Sequence, residues 1–489
     1  MPGGVEYDVI VVGAGPAGCA AAIGLARAGF SVLVLEAGIF PGAENWSGCV
    51  YFTEALAHDD LLGRDGVEAL AWERRLVERG FFATDGYALA GVTYRSRAAF
   101  RDCYTVLRPV FDASLARAAQ SLGATLLCET TVEALIRSHG RVIGVSTTRG
   151  PFYADLVFLA EGDAAHLVAK EGYEADRREA NRLLQGIKEV VPMPAEEIAA
   201  RFGLRGDEGA AYEILLRNAR LGGREVRLNA GAFLYTNADT LSLGIVLPLE
   251  NLASEFAGDH ERLMEWLKSL PAFRAWLDAG AAAAAYGAKI IQAGGPRRVR
   301  TWVDHGLAIG GAAAGLGIDF PFPNYTGPAC ESGRLLARAV RAIRAAGEGF
   351  TADALARHYA APLRDSTAHR DAEWLGDWPE YVARTRFFFG PLVDTALAAL
   401  DRWHQPALAE EQKRRQIAEL VAGLVRTEGF AADVRALRRA LPLEAVMRQR
   451  LRELPSWGRA SEPAPKGEVL FHYSVDGERV PLTLGGRRS

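Results

Sequence analysis

Long apolar runs are missing from this chain of 489 residues. No stretch approaches the ~18–20 consecutive apolar residues that a membrane-crossing helix needs. Residues 1–7 have neither a basic start nor an apolar core, so no signal peptide is expected there. Cysteine is scarce: the five are Cys19, Cys49, Cys103, Cys128 and Cys330. They are odd in number and never spaced C-x-x-C, which argues against a disulfide framework, a zinc knuckle or a four-thiolate iron–sulfur cluster, and no metal site is expected. Excess charge is lacking too. A net charge of −4 gives no basic surface for nucleic acid. What remains is a cytoplasmic globular protein of two or three structural units. A peripheral contact on the inner face of the cell membrane is compatible with these absences.

What the chain does have is concentrated near its start. Val9, Ile10, Val11 and Val12 form a continuous apolar run, the pattern of a strand buried on both faces of a parallel sheet. The run ends at Gly13-Ala14-Gly15-Pro16-Ala17-Gly18, a G-x-G-x-x-G turn. A helix is expected over 19–28, closed by Gly29, then a strand over 30–35 ending on Glu36. Gly13 permits the tight turn, Gly15 lets the backbone approach a pyrophosphate, and Gly18 lets helix and strand pack closely. The helix N-terminus then faces the phosphates. Glu36, with Ala37 beside it, lies where a carboxylate can accept the hydroxyls of an adenosine ribose. An acid there suits FAD or NAD and would repel the 2′-phosphate of NADP.

The loop that follows, residues 37–49, can lie along the rest of such a cofactor, with Ser47, Gly48 and Cys49 at its end; the alternative is an ordinary surface loop. Residues 76–107 alternate apolar and polar positions, as strands of a second sheet do. Arg108 precedes a helix expected over 113–122, where it could bind a phosphate or a flavin edge, or pair with a surface acid. Strands are expected over 126–132 and 141–147. Another over 156–160 ends at Glu161-Gly162-Asp163 and returns the chain to the nucleotide-binding sheet, with Gly162 counted among the cofactor-binding residues. A hairpin is expected around residues 237–240, and a helix over 260–277 broken by Pro271.

A second small-residue turn begins at Leu307-Ala308-Ile309-Gly310-Gly311-Ala312-Ala313-Ala314-Gly315. Residues 319–328 lead from it into a helix expected over 329–345. Two distant glycine-rich turns embracing one ligand favour FAD over free NAD, the second helix N-terminus stabilising negative charge on a reduced ring. Residues 351–489 read as mostly helical, with Ile417, Leu420, Val421 and Leu424 on one helix face and a hairpin around Asp476-Gly477.

Taken together, the motifs resemble the electron-transfer-flavoprotein:quinone oxidoreductase family of flavoprotein dehydrogenases, in its nitrogen-fixation-associated, Fix-type branch, within a superfamily that includes geranylgeranyl reductases. The stretches that carry the resemblance are Pro41-Gly42 with Ser47-Gly48, Thr105-Val106-Leu107-Arg108 with Phe111-Asp112, Ile187-Lys188-Glu189-Val190, Phe233-Leu234-Tyr235-Thr236-Asn237 and Leu241-Ser242-Leu243-Gly244. The resemblance implies an α/β, glutathione-reductase-like FAD-binding Rossmann domain, with an inserted mixed-sheet domain and a mostly helical C-terminal region. The expected parts are 1–75, 98–170 and 291–350 for FAD, 76–97 and 171–290 for substrate or partner, and 351–489 for the C-terminal region. Gly13, Gly15, Gly18 and Glu36 would hold the ADP half. Ser47, Gly48 and Arg108 would sit near the flavin and its chain, Val132 near the adenine, and Gly311, Ala314, Gly315, Gly327 and Pro328 at the ribityl and flavin end.

One departure stands out: the family usually has G-D-A-A-G at the second turn, and here Ala312 takes the place of the aspartate. A ribityl hydrogen bond is therefore missing or supplied from elsewhere. By resemblance, an electron-transferring flavoprotein passes electrons to the FAD, and a separate ferredoxin-like protein and quinone take them onward. No acid, base or nucleophile is identified as catalytic. Two other readings are a prenyl-lipid reductase, with Cys49 as a candidate for substrate contact, and a flavin monooxygenase or halogenase, for which no W-x-W-x-I-P stretch is present.

Overall fold

Four apolar residues in a row, Val9 to Val12, are almost wholly inaccessible to solvent, as expected of a strand covered on both faces. They end strand β1 (Tyr7–Val12), which is followed by helix α1 (Pro16–Arg27) and strand β2 (Val32–Leu35). The computed structural model describes residues 6–45, 48–98, 100–175, 183–221, 224–278, 280–318, 323–376, 391–426, 468–475 and 478–483. Contacts divide the chain into two units.

The first unit comprises Met1–Arg74, Asp102–Leu183 and Ile290–Asp377. It contributes helix α2 (Arg108–Ser121), strands β3 (Thr125–Leu127), β4 (Gly150–Leu159), β5 (Val303–Asp304) and β6 (Leu307–Ile309), and helix α3 (Thr326–Ala345). The sheet runs β5-β6-β4-β1-β2-β3, parallel throughout except at the β5–β6 edge. Helices α1 and α3 pack closely because glycines stand at their contact, Gly333 against the backbone of α1 and Gly24 against a side chain of α3. A Cβ on Gly333 would lie 2.3 Å from the Ala17 carbonyl oxygen, and one on Gly24 would lie 2.7 Å from Ala337 Cβ.

The second unit comprises Arg75–Arg101, Leu184–Lys289 and Trp378–Ser489. Its sheet proceeds through Ala285–Gln292, Leu183–Pro192, Thr240–Pro248, Arg224–Thr236, Glu208–Leu221, Arg74–Thr84, Leu89–Arg95, Glu468–Val475 and Glu478–Thr483. The strand register separates two faces. Ile187, Leu243, Leu234, Tyr212 and Phe82 lie on the apolar face, in a core shared with Leu252, Phe256, Leu263 and Leu267 from the helices Leu249–Phe256 and His260–Ser269. Lys188, Gly244, Phe233, Glu213 and Phe81 oppose one another in register on the other face. Each core Leu or Ile so buried contributes roughly 1.5–3 kcal/mol.

The α/β fold with a mixed-sheet unit agrees with expectation, as do the hairpin Arg224–Thr236/Thr240–Pro248 and the helix end before Pro271. Several boundaries differ. The helices expected from residues 19 and 113 begin at Pro16 and Arg108, each with a proline in its first turn. Proline fits there because the first amides of a helix have no partner inside it to lose. The expected strand over 126–132 is two strands, Thr125–Leu127 and Val132–Ser138, interrupted at Glu129, which has a φ of 51°. In the C-terminal region the helices Pro391–His404 and Glu410–Arg426 and the expected hairpin strands are present, with Glu468–Val475 pairing with Leu89–Arg95. Among the described residues no helix is long and apolar enough to cross a membrane.

Candidate functional site

The first glycine turn is built by backbone alone. Gly13 has a φ of 101°, in the left-handed region, and a Cβ there would lie 2.5 Å from the Ala160 carbonyl oxygen. A Cβ on Gly18 would lie 1.9 Å from the Gly13 carbonyl oxygen, so this position accepts nothing larger. Gly15 is different: around its missing Cβ the nearest atom is Arg108 Nη2, at 3.9 Å. Gly18 closes the turn on itself, Gly13 seats it against Ala160, and Gly15 leaves space at the N-terminus of α1, as an approaching phosphate requires.

Glu36 is tied to this turn. One carboxylate oxygen accepts the Ala14 amide at 2.8 Å and the other accepts the Gly38 amide at 2.9 Å. Burial pushes its carboxyl up from the ordinary value, and the two amides pull in the opposite direction without cancelling the rise. Each oxygen keeps a lone pair for a hydroxyl. The Glu36 and Gly38 carbonyls accept the Thr130 and Glu129 amides, which brings the start of the strand bearing Val132 beside Glu36. Val132 itself is half-buried against the core of this unit.

Arg108 does not pair with a surface acid. It stands in the first turn of α2, buried, and forms a two-pronged pair with Asp112 at 2.7 and 2.6 Å. The loop after Glu36 folds onto the same helix: a Cβ on Gly42 would lie 2.7 Å from the Arg108 carbonyl oxygen. Gly48 and Cys49 lie on the strand Gly48–Phe52, paired through Leu107 and Val106 with the strand Cys103–Leu107. Ser47 lies outside the described residues.

The second glycine turn meets the first. Gly311, at a φ of 63°, would carry its Cβ 2.9 Å from Ala17 Cβ. Its amide donates to Ser332 Oγ at 2.9 Å, and Gly315 backs onto the Gly295 carbonyl oxygen. The turn continues as a short 3₁₀ helix, Gly311–Ala314, with Ala314 buried. Gly162, at a φ of 70°, has open space where a Cβ would be. Gly327 donates its amide to Asn324 Oδ1 at 3.1 Å, and Pro328 is buried in the first turn of α3. The Cys330 thiol lies 3.6 Å from the Pro16 carbonyl oxygen, so the starts of α1 and α3 adjoin.

Other residues at this site carry no motif in the sequence. Arg298 donates through Nη2 to the Ala312 carbonyl oxygen at 2.6 Å, and through Nη1 to the Gln292 carbonyl and Oε1, each at 2.9 Å. Gln292 Nε2 donates to the Asp163 carbonyl at 3.1 Å. The position expected to hold an aspartate is thus clamped from a loop fourteen residues upstream. A basic residue in that glycine-rich loop was the only available hint. Thr326 opens α3, only 2% exposed, and its Oγ1 has no hydrogen-bond partner among the described residues.

Cys19 and Cys330 are held as buried thiols. Burial pushes the Cys330 thiol up to about 12 and the Cys19 thiol well above its usual value, and Cys330 Sγ shares a 2.7 Å contact with Tyr51 Oη. The donor set fits FAD: an open glycine at a helix start, a carboxylate with free lone pairs, a second close backbone turn, and a buried hydroxyl lacking a partner. A cleft of about 400 Å³ lined by Arg27, Asp60 and Arg341 lies at the far end of α1 from this turn.

Comparison with known proteins agrees with this site. Residues 8–170 match the family model described as FAD dependent oxidoreductase. The protein FixC of Azorhizobium caulinodans is 32% identical over 84% of this chain and 93% of its own length. A probable electron transfer flavoprotein-quinone oxidoreductase of Escherichia coli, YdiS, is 31% identical over 78% of this chain and 87% of its own. Among solved structures, a geranylgeranyl bacteriochlorophyll reductase-like protein of Thermoplasma acidophilum aligns with a TM-score of 0.60 at 18% identity, covering 86% of this chain and 98% of that one. That last likeness is one of fold.

Proposed function

This chain belongs to the FixC family of FAD-dependent oxidoreductases, and from that premise we propose that it passes electrons from a reduced electron-transferring flavoprotein, through FAD, to a ferredoxin-like protein and quinone. The observation that carries the reading is the meeting of two glycine turns, Gly311 against Ala17, at the start of α1. A site for a mononucleotide needs one such turn; a site for FAD uses both. FAD, when bound, supplies a centre that accepts and releases electrons singly or in pairs.

The chain's own residues bind, orient and shield. Gly13, Ala14, Gly15, Pro16, Ala17 and Gly18 would face the pyrophosphate, and Arg108, oriented by its pair with Asp112, would sit near the flavin and its chain as a hydrogen-bond donor. Glu36 and Ala37 would hold the adenosine ribose, with Val132 beside the adenine. Ser47, Gly48, Cys49, Gly162, Gly311, Ala314, Gly315, Gly327 and Pro328 would line the remainder. The start of α3 would stabilise negative charge. The donor and quinone are supported by the description of the YdiS relative as an electron transfer flavoprotein-quinone oxidoreductase. The separate ferredoxin-like carrier is supported by the cysteine spacing of this sequence. Work at the inner face of the cell membrane follows from a lipid-soluble acceptor.

The test is reduction of a soluble quinone by the purified holoprotein with the reduced flavoprotein as donor. Slow turnover that a ferredoxin-like protein greatly accelerates is expected. Fast turnover by the isolated chain, indifferent to any added carrier, would overturn the relay.

A further inference from the structure

We infer that Arg298 is an electrostatic partner of the bound FAD, a cation placed beside the second glycine turn to stabilise the electron-rich form of the cofactor. The inference rests on the placement of FAD proposed above. Its starting point is a charge without compensation. Arg298 is half-buried, and every oxygen it binds is neutral: the Ala312 carbonyl, the Gln292 carbonyl and the Gln292 amide. Among the described residues no carboxylate pairs with it, and its Nε is buried with no hydrogen-bond partner.

A guanidinium withdrawn from water is costly unless it is paired, and an N–H left unmatched adds to that cost. Three buried or half-buried arginines of this unit are ion-paired, whereas Arg141, also half-buried, donates to the Asp155 carbonyl without a clamp of the kind that holds Arg298. Arg108 is paired with Asp112, Arg334 with Glu331 and Asp60, and Arg137 with Asp304 and Glu171. Arg298 is held rigidly by three acceptors that position it and do not neutralise it. Such an arrangement suits an anion that arrives with the ligand. It also stands at the second glycine turn, bound to the Ala312 carbonyl, where the side chain at position 312 is a methyl group and brings no charge.

The chemistry that would use this cation is reduction of the isoalloxazine ring. Two electrons from the flavoprotein donor and one proton at N5 leave a negative charge spread over N1 and the C2 carbonyl. A fixed positive charge in a water-poor site lowers the free energy of that product relative to the oxidised ring. The shared chemistry is anion stabilisation, and the pyrophosphate of the same FAD is the competing anion.

The test uses the holoprotein with Arg298→Gln and Arg298→Lys, and two readouts that do not depend on turnover. Sulfite adds its sulfur lone pair to flavin N5, forming an N–S bond and placing the same negative charge on the ring. Arg298→Gln is expected to raise the sulfite dissociation constant at least tenfold. It is also expected to lower the two-electron midpoint potential correspondingly, by about 30 mV for each tenfold change. Arg298→Lys, which keeps the charge and loses the planar fork, restores most of both. Affinity for oxidised FAD should change little. If Arg298→Gln weakens oxidised FAD binding and leaves sulfite affinity and potential unchanged, the guanidinium serves the pyrophosphate or merely pins the turn, and the inference falls. If Arg298→Gln does not fold, Arg298→Lys decides alone, because a sulfite affinity reduced to the free-flavin value would contradict a role for charge. Gly15→Val separates this from the site reading: flavin retained in that variant would mean that FAD lies elsewhere.

Discussion

The two glycine turns of the first unit do the same work by different means. The turn at residues 13–18 is self-sufficient. Its glycines are required by the left-handed φ of Gly13 and by a contact that Gly18 could not make with a Cβ, and Glu36, held by two backbone amides, completes it. The turn at residues 310–315 is not self-sufficient. It has no acid of its own, and its Ala312 carbonyl is bound by Arg298, which Gln292 supports. One turn specifies its ligand through local backbone geometry, the other through side chains supplied from a separate loop. The difference teaches that two turns of similar composition can be fixed by different means; at the second, a cation is bound to the backbone of the turn.

The largest expected effects break the first turn. Gly18→Ala forces a Cβ onto the Gly13 carbonyl oxygen, and overpacking of this kind costs on the order of 1–3 kcal/mol or more; flavin content and thermal stability should fall together. Gly15→Val fills open space instead, so flavin content should fall nearly to zero while circular dichroism and the melting temperature of the apoprotein stay close to wild type. A Gly15→Val protein that is yellow would remove the distinction between these two glycines.

Glu36→Ala should weaken FAD binding roughly 10- to 100-fold, the loss of one or two hydrogen bonds to a charged acceptor. Titration of apoprotein with FAD measures this directly. On the second turn, Ala312→Asp restores the usual acid beside Arg298. It should tighten FAD binding roughly threefold to tenfold if a ribityl hydroxyl has only water as its partner. It should also lower the midpoint potential, because the new carboxylate neutralises the guanidinium. Unchanged affinity would mean that another group already occupies that place.

The smallest effect concerns a charge in the second unit, as a control on burial without a cofactor. Glu213 is nine-tenths buried, its Oε1 bound by Arg79 at 2.7 Å and by Tyr235 Oη at 3.4 Å, and its Oε2 has no partner among the described residues. Burial pushes its carboxyl up from 4.5, against the pull of Arg79. A carboxyl whose folded value is raised contributes its stability below the unfolded value and loses it as pH rises through the folded value. The melting temperature of Glu213→Gln relative to wild type should therefore climb with pH from about 4.5 upward; a difference independent of pH would mean that Arg79 cancels the effect of burial, and one that falls with pH would mean that Arg79 dominates.

These contrasts also explain what could be read in advance. The first turn, its flanking strands and Glu36 follow from periodicity and short-range spacing, and the structure agrees with them. So do the hairpin at residues 237–240 and the break at Pro271. Helix starts were misjudged at Pro16 and Arg108, because the first turn of a helix carries no periodic signal and proline reads as a breaker. Arg108 also shows that an arginine at a strand–helix junction can be buried against an acid one turn further along the same helix. The clamp of Gln292 and Arg298 could not be foreseen, because it depends on the return of β6 beside β4, which sets a loop of no evident pattern against Ala312. In the second unit, alternation identifies strands but does not reveal that Lys188 and Glu213 are buried on the face opposite the apolar core.

Each turn is expected to hold its own half of one FAD. Calorimetric titration of apoprotein with ADP and with FMN, separately, tests it most directly. Glu36→Ala should weaken ADP binding and leave FMN binding at its wild-type value, whereas Ala312→Asp should alter FMN binding and leave ADP binding unchanged. Equal losses for both halves in either variant, or the reverse pattern, would contradict it.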